Sequence, residues 1–236
     1  MSDLTEQHIA SVFDRDLEAI QAHIMKMGGL VEAAIMSAAR SLETRDAELA
    51  QQVRQGDKAI DALEDIIDEE TARLIALRAP TASDLRLVLS VLKVSSNLER
   101  IGDYAKNIAK RTTVLVDAGE INGSAAALRR MAREVERMLR DALDAYIQRD
   151  AELATDVINR DEDVDQMYNG LFREFLTYMA EDPRNISSCM HLHFIAKNIE
   201  RMGDHVTSIA EQVVYLVTGE RPAEARPKAD TTSQTL

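Results

Sequence analysis

The sequence has no tryptophan, and aromatic residues make up only 4% of its 236 residues. Hydrophobic residues still amount to 45%, so leucine, isoleucine, valine, alanine and methionine must do the packing. Alanine, leucine and methionine are good helix formers, whereas aromatic residues are enriched in strands. The composition therefore favours an all-α fold.

Three further absences bear on where the protein works. The single cysteine, Cys189, cannot form an internal disulfide, which fits a reducing compartment. No run of about 18 apolar residues is present, so no membrane span is expected. The first residues lack the basic and apolar regions of a secretory signal. We therefore expect a cytoplasmic protein.

The formal net charge of −13 restricts the partners. A strongly acidic chain is a poor electrostatic match for nucleic acid or an anionic membrane surface. A bare phosphate would also meet a repulsive field, unless a bound cation reversed the field locally.

The chain contains an internal repeat. The segment Arg-Asp-Ala-Glu-Leu-Ala at 45–50 recurs unchanged at 149–154, a shift of 104 residues. Further on, Glu-Arg-Ile-Gly-Asp at 99–103 is echoed by Glu-Arg-Met-Gly-Asp at 200–204, a shift of 101 residues. Two matches in the same order, reconciled by a net deletion of three residues, indicate a duplicated unit.

Each copy is predicted to contain three helices, because its apolar residues alternate at spacings of three and four. This pattern favours near-antiparallel bundles. We predict two tandem three-helix up-down bundles, packed side by side with pseudo-twofold symmetry. The predicted divisions are a flexible N-terminus at 1–12, a first repeat at 13–118, a linker at 119–123, a second repeat at 124–218 and a disordered tail at 219–236.

Particular residues are expected to start and stop these helices. Asp46 and Asp150 can cap the second helix of each copy, which Pro80 and Pro183 then end. Ser83 or Asp84 is expected to cap the third helix, and Ser124 the fourth.

Acidic pairs four residues apart are the candidate functional residues. Residues at i and i+4 share a helix face, and two such pairs on adjacent helices can form a nest of oxygen ligands for Mg²⁺, Mn²⁺, Ca²⁺ or iron. Asn107 and Ser208 continue two of the rows as additional neutral ligands. The pairs are Asp57 with Asp61 and Glu99 with Asp103 in the first copy, and Asp161 with Asp165 and Glu200 with Asp204 in the second.

The alternative interpretation of these pairs is a solvated helix face. With 41 acidic residues in the chain, about seven such pairs arise by chance. Recurrence of both pairs in both copies is what favours a metal site. Gly102 and Gly203 lie between the two carboxylates of their pairs, which indicates close approach of either a neighbouring helix or a metal cluster.

No catalytic motif is found. A ferritin-like site would need Glu-x-x-His on two helices, and none of the five histidines has glutamate three residues before it. The phosphate-binding loop Gly-x-x-x-x-Gly-Lys, the Gly-x-Ser-x-Gly elbow and Cys-x-x-Cys are also missing. We therefore expect a protein that is not an enzyme.

Several motifs together resemble the PhoU family, over about residues 10–220. They are Met-Gly-Gly-Leu-Val-Glu at 27–32, Pro-Thr-Ala-Ser-Asp-Leu-Arg at 80–86, both Glu-Arg-(Ile/Met)-Gly-Asp motifs, and Tyr-Met-Ala-Glu-Asp-Pro-Arg at 178–184. The resemblance implies two similar three-helix bundles, commonly in a homodimer. It also implies that the eight carboxylates named above hold a metal ion or a multinuclear cluster of Mg, Mn, Fe or Zn.

The same resemblance implies a function. A PhoU-like protein is expected to be a negative regulator of the phosphate-starvation response. Its implied partners are the ATPase subunit of the phosphate ABC transporter and a membrane sensor histidine kinase. Two alternatives stay open: a metal-dependent phosphate-binding or buffering protein, and a helical scaffold whose acidic rows are only surface.

Overall fold

The computed structural model describes residues 2–119, 121 and 123–222. Within these ranges the chain forms six α-helices and one short 3-10 helix, and no strand. The elements are α1 (Ser2–Thr44), α2 (Ala47–Arg78), α3 (Ala82–Leu115), α4 (Ser124–Gln148), α5 (Ala151–Glu181), the 3-10 helix Pro183–Asn185 and α6 (Ile186–Thr218). The predicted all-α class and the three helices of each repeat are confirmed.

Helix contacts define two bundles side by side. Each of α1, α2 and α3 packs against the other two, and so does each of α4, α5 and α6. The two bundles meet mainly through α1 against α4 and α3 against α6. The α2–α3 interface of the first repeat corresponds to the α5–α6 interface of the second, and both interfaces carry the acidic pairs.

The apolar stripes predicted from the spacing form the core. In α1, Ile20, Ile24, Met27 and Val31 are at most 1% exposed. Near the end of α2, by contrast, the apolar side chain of Leu77 is 61% exposed. None of the helices in the described part of the chain is apolar over a stretch long enough to span a bilayer.

The start signals are confirmed for α2 and α5. Asp46 accepts a hydrogen bond from the Leu49 N–H at 2.8 Å. Asp150 accepts bonds from both Glu152 and Leu153, at 2.9 and 3.0 Å. These bonds satisfy N–H groups that have no partner within the helix.

The predicted caps of α3 and α4 are wrong. Helix α3 begins at Ala82, so Ser83 and Asp84 lie inside it, and the N-cap Thr81 makes no side-chain cap bond. Helix α4 begins at Ser124 itself. Its N-cap is Gly123, at a φ of 78°, a backbone conformation that glycine adopts without strain.

The observed helices start and end partly at the predicted divisions of the chain. Helix α1 begins at Ser2, ahead of residue 13, where we expected the first repeat to start. Helix α6 ends at Thr218, the predicted end of the second repeat. Residues 223–236, most of the predicted disordered tail, lie outside the described residues.

Candidate functional site

Two glycines allow the acidic helices of each repeat to approach closely. A Cβ atom added to Gly102 in α3 would lie 3.0 Å from Ile60 Cδ1 and 3.8 Å from Asp57 Oδ1 of α2. A Cβ atom added to Gly203 in α6 would lie 3.0 Å from Asp161 Oδ1 of α5. Close approach of the neighbouring helix, one of the two predicted reasons for these glycines, is therefore present in both repeats.

The first carboxylate cluster comprises Asp57 and Asp61 of α2 with Glu99 and Asp103 of α3. Asp57 is the most enclosed, at 4% exposed, and the other three are half-buried. Two helices thus bring together the residues that the repeat pattern singled out.

A lysine lies among these carboxylates. Lys106 forms an ion pair with Asp57 across the helix interface, and its Nζ lies 3.3 Å from Asp103 Oδ1. The hydrogen bond with Asp57 raises the pKa of Lys106, so the ammonium stays charged. The other oxygen of Asp57, Oδ1, is buried and accepts no hydrogen bond from any described residue.

Two of the remaining carboxylates ionise less readily than usual. Burial raises the pKa of Glu99 to about 7, and the nearby charges of Asp103 and Glu64 add to the shift. Burial, followed by the charge of Asp57, also raises the pKa of Asp61. Raised values of this kind mean that one more cation at the cluster would be stabilising.

Glu64 and Lys106 belong to this site but were not predicted from the sequence. Glu64 lies seven residues after Asp57 in α2, two turns along the same face, and its charge acts on Glu99. Lys106 lies one turn after Asp103 in α3. The signal for both was helical spacing from a residue already singled out.

The second carboxylate cluster comprises Asp161 and Asp165 of α5 with Glu200 and Asp204 of α6. It is more enclosed than the first, because Asp161, Asp165 and Glu200 are 2%, 3% and 6% exposed. Lys197 donates to Glu200 Oε1 at 2.9 Å. Each cluster therefore has a lysine beside it, but Lys106 follows Asp103 in α3 whereas Lys197 precedes Glu200 in α6.

The two neutral residues predicted as additional ligands are less well placed for metal binding than the carboxylates. Asn107 is exposed on α3. Ser208 is half-buried, and its hydroxyl donates to the backbone oxygen of Asp204 at 3.0 Å.

The clusters suit a hard cation in chemistry but do not form a ready-made coordination site. Over residues 2–119, 121 and 123–222, no three His, Cys, Asp or Glu side chains are arranged to hold a metal ion. Their donors are all carboxylate oxygens, which Mg²⁺, Mn²⁺ and Ca²⁺ prefer. A metal at the first cluster would use oxygens of Asp57 and Asp103 and would compete with Lys106 for them.

Comparison with known proteins follows the same division into repeats. The PhoU domain profile matches residues 24–112 and again residues 128–213. Each match covers most of one three-helix repeat.

Curated relatives are similar over nearly the whole chain. A phosphate-specific transport system accessory protein PhoU homolog from Caulobacter vibrioides is 44% identical over 228 residues, 97% of this chain and 99% of that protein. The homolog of the same name from Zymomonas mobilis is 48% identical over 217 residues, 92% of this chain and 91% of that protein.

Solved structures agree with the fold. The crystal structure of PhoU from Pseudomonas aeruginosa matches with a TM-score of 0.85 at 43% identity, covering 88% of this chain and all of that one. The phosphate transport system regulatory protein PhoU from Streptococcus pneumoniae matches with a TM-score of 0.82 at 31% identity, covering 90% of this chain and all of that one. On the domain profile, the sequences and the structures together, the chain belongs to the PhoU family.

Proposed function

We propose that this protein regulates phosphate uptake and phosphate-starvation signalling as an adaptor without catalytic activity of its own. It would connect the ATPase subunit of the phosphate ABC transporter to a sensor histidine kinase in the cytoplasm. The observation that carries the proposal is the similarity, over 97% of this chain, to a protein named as an accessory of the phosphate-specific transport system.

Metal bound at the two carboxylate clusters is part of the proposal. Each cluster brings the carboxylates of two helices together with a lysine, and Asp57 Oδ1 is a buried acceptor without a hydrogen bond from any described residue. A divalent ion would relieve the repulsion among the carboxylates and stabilise α2 against α3 and α5 against α6. The ligands would be the eight predicted carboxylates, and the metal is Mg, Mn, Fe or Zn.

The fold also supports an adaptor. Two bundles in one chain present two related outer surfaces, which suits contact with two partners. Homodimer formation, implied by the family resemblance, would double these surfaces. The net charge of −13 favours basic protein surfaces over nucleic acid as partners.

A pull-down with defined partners tests the adaptor role. The tagged full-length chain, expressed in phosphate-replete cells of its source organism, should retain both the transporter ATPase subunit and the kinase. A variant with alanine at Glu99, Asp103, Glu200 and Asp204 should retain less of both. An equal number of alanines at exposed acidic residues, such as Glu162 and Asp163, is the matched control. Retention of neither partner by the unmodified chain would refute the adaptor role.

The alternative function is metal-dependent phosphate binding or buffering. It is favoured by the open acceptor at Asp57 Oδ1, since a metal held there by only part of its ligand set would keep positions for phosphate oxygens. Calorimetry with metal-loaded protein separates the two functions. A phosphate affinity that disappears on chelation would support buffering, whereas partner binding that persists without phosphate would support the adaptor.

A further inference from the structure

A small cavity lies where the two repeats join, away from both carboxylate clusters. Leu42 and Arg45 at the end of α1, Leu115 at the end of α3, and Ser124 and Ala125 at the start of α4 contribute to its lining. We call it the seam cavity. Its α4 lining and Leu115 fall between residues 112 and 128, outside both ranges that match the PhoU domain profile.

The seam cavity has room for a small polyatomic ion. Its volume, measured as the space open to the centre of a water molecule, is about 40 Å³. By that measure about 10–15 Å³ holds one water. The cavity therefore has space for about three waters, enough for one tetrahedral oxyanion but too little for a nucleotide.

An unpaired hydroxyl lines this cavity. Ser124 is 1% exposed, and its Oγ has no hydrogen-bond partner among the described residues. The serine is the first residue of α4, so its hydroxyl does not serve as the cap that the sequence predicted. Native proteins seldom leave a buried hydroxyl unpaired, because burial removes its hydrogen bonds to water. A ligand in the cavity would supply the missing partner.

The start of α4 adds donors that favour an anion. The N-cap Gly123 has no side chain to accept from the first turn, and the Ser124 N–H donates to the Ile121 oxygen at 3.3 Å. Among the described residues, the Ala125 N–H is then left without a capping partner. The positive end of the dipole of α4, a helix of 25 residues, lies at the same terminus and also favours an anion there. A helix N-terminus with unused N–H groups is a favourable position for phosphate or sulfate.

Arg45 supplies a positive charge at the same place. Its guanidinium Nη1 donates to the carbonyl oxygen of Ala118 at 3.0 Å, which holds the side chain across the end of α3. Glu43 also lines the cavity, but its carboxylate forms an ion pair with Arg129. With Glu43 paired to Arg129, Arg45 contributes positive charge among the described lining residues, although the whole chain carries a net charge of −13.

We propose that the seam cavity binds a small tetrahedral oxyanion, with inorganic phosphate as the ligand. Ser124 Oγ and the Ala125 N–H donate to its oxygens, and Arg45 balances its charge. The choice of phosphate over sulfate rests on the proposed function, whereas the site itself rests only on the geometry. This site requires no metal, which separates it from phosphate binding at the carboxylate clusters.

Calorimetry on the full-length chain, with a chelator present throughout, tests the site. Inorganic phosphate should bind with one-to-one stoichiometry, and acetate, which is planar, should not compete. Ser124→Ala removes one hydrogen bond and should weaken binding about fivefold to tenfold. Arg45→Gln should weaken it about tenfold or more.

The repeat provides a matched control for the arginine. Arg149 follows α4 as Arg45 follows α1, and the two share a positive φ of 55° and 52°. Arg149→Gln changes the same charge in the same backbone conformation, away from the seam cavity, and should leave phosphate binding unchanged. Equal weakening by Arg45→Gln and Arg149→Gln would reduce the effect to net charge and overturn the proposed site.

A measurement on the unmodified protein guards against variants that fail to fold. Titration with phosphate should shift the backbone amide resonances of Ser124 and Ala125 in a saturable way, with the chelator still present. No binding up to about 10 mM phosphate would overturn the proposal. Phosphate binding that appears only when metal is added would also overturn it. A failed pull-down, by contrast, would refute the adaptor role without bearing on the seam cavity.

Discussion

Lys106 of α3 forms an ion pair with Asp57 of α2, and this pair joins the two helices at the first carboxylate cluster. Asp57 is 4% exposed, so its charge is largely removed from water. Removing one partner of a buried ion pair leaves the other charge without compensation, which costs more than the pair itself contributes. Lys106 is thus the internal counterion of a carboxylate that α2 cannot expose.

Lys106→Met should destabilise the metal-free protein by about 1–3 kcal/mol at neutral pH. The loss is smaller than for a fully buried pair because the lysine is 41% exposed. Urea unfolding with a chelator present measures the change. Lys110→Met, at an exposed position one turn along the same helix, is the control and should have little effect. Equal losses in the two variants would mean that Lys106 contributes no specific charge compensation.

The stability of the protein should depend on pH through Glu99. Burial raises the pKa of Glu99 to about 7, whereas glutamate in an unfolded chain titrates near about 4.3. The folded state therefore holds the proton more tightly than the unfolded state. The cost of ionising Glu99 is absent at acidic pH, grows as the pH rises above about 4, and is complete above about 7.

Glu99→Gln removes this cost and should stabilise the metal-free protein more at high pH. We expect a gain of about 1–3 kcal/mol at about pH 8 and only a few tenths at about pH 4.5. Urea unfolding at the two pH values, again with a chelator, gives the difference. Glu69→Gln, at an exposed position of α2, should show the same effect at both pH values. A pH-independent effect of Glu99→Gln would contradict the raised pKa.

Gly203 should resist substitution, although alanine is the better helix former by about 1 kcal/mol. A Cβ atom there would lie 3.0 Å from Asp161 Oδ1, and Asp161 is only 2% exposed. Gly203→Ala should therefore push α5 away from α6 and destabilise the protein by about 1–2 kcal/mol.

Gly170 of α5 provides the comparison for that substitution. It is exposed, and nothing lies within 4 Å of a Cβ atom built there. Gly170→Ala should stabilise the protein by about 0.5–1 kcal/mol. Thermal unfolding of the two variants tests whether one is destabilised and the other stabilised. Stabilisation by Gly203→Ala as well as by Gly170→Ala would show that the α5–α6 interface tolerates a methyl group.

The fold followed from the sequence because both of its determinants are local. Apolar spacing fixes which face of each helix is buried, and Asp46 and Asp150 start the second helix of each repeat with their own side chains. The caps of α3 and α4 were not predictable in the same way. Helix α3 begins one residue before Ser83, and α4 begins at Ser124 itself, so the side chains expected to cap them lie inside the helices.

The lysines of the clusters were missed for a different reason. The carboxylates were found by comparing the two repeats, and a residue present in only one copy gives no such signal. Lys106 corresponds to Thr207 in the second repeat, and Lys197 corresponds to Ser96 in the first. Their positions on the helix, one turn after Asp103 and one turn before Glu200, became informative only when the packing of α2 on α3 and of α5 on α6 was known.

Metal content is the remaining test of the clusters. Because the carboxylates outnumber the lysine at each cluster, the purified, untagged wild-type protein should contain metal in stoichiometric amount by elemental analysis. The variant with alanine at Glu99, Asp103, Glu200 and Asp204 should contain none.

Because Lys106 competes for the oxygens of Asp57, Lys106→Met should bind Mg²⁺ or Mn²⁺ about tenfold more tightly than the wild type, and added metal should restore its lost stability. Unchanged affinity in Lys106→Met would place any bound metal away from Asp57. Absence of metal from both the wild type and the alanine variant would refute metal binding at the clusters.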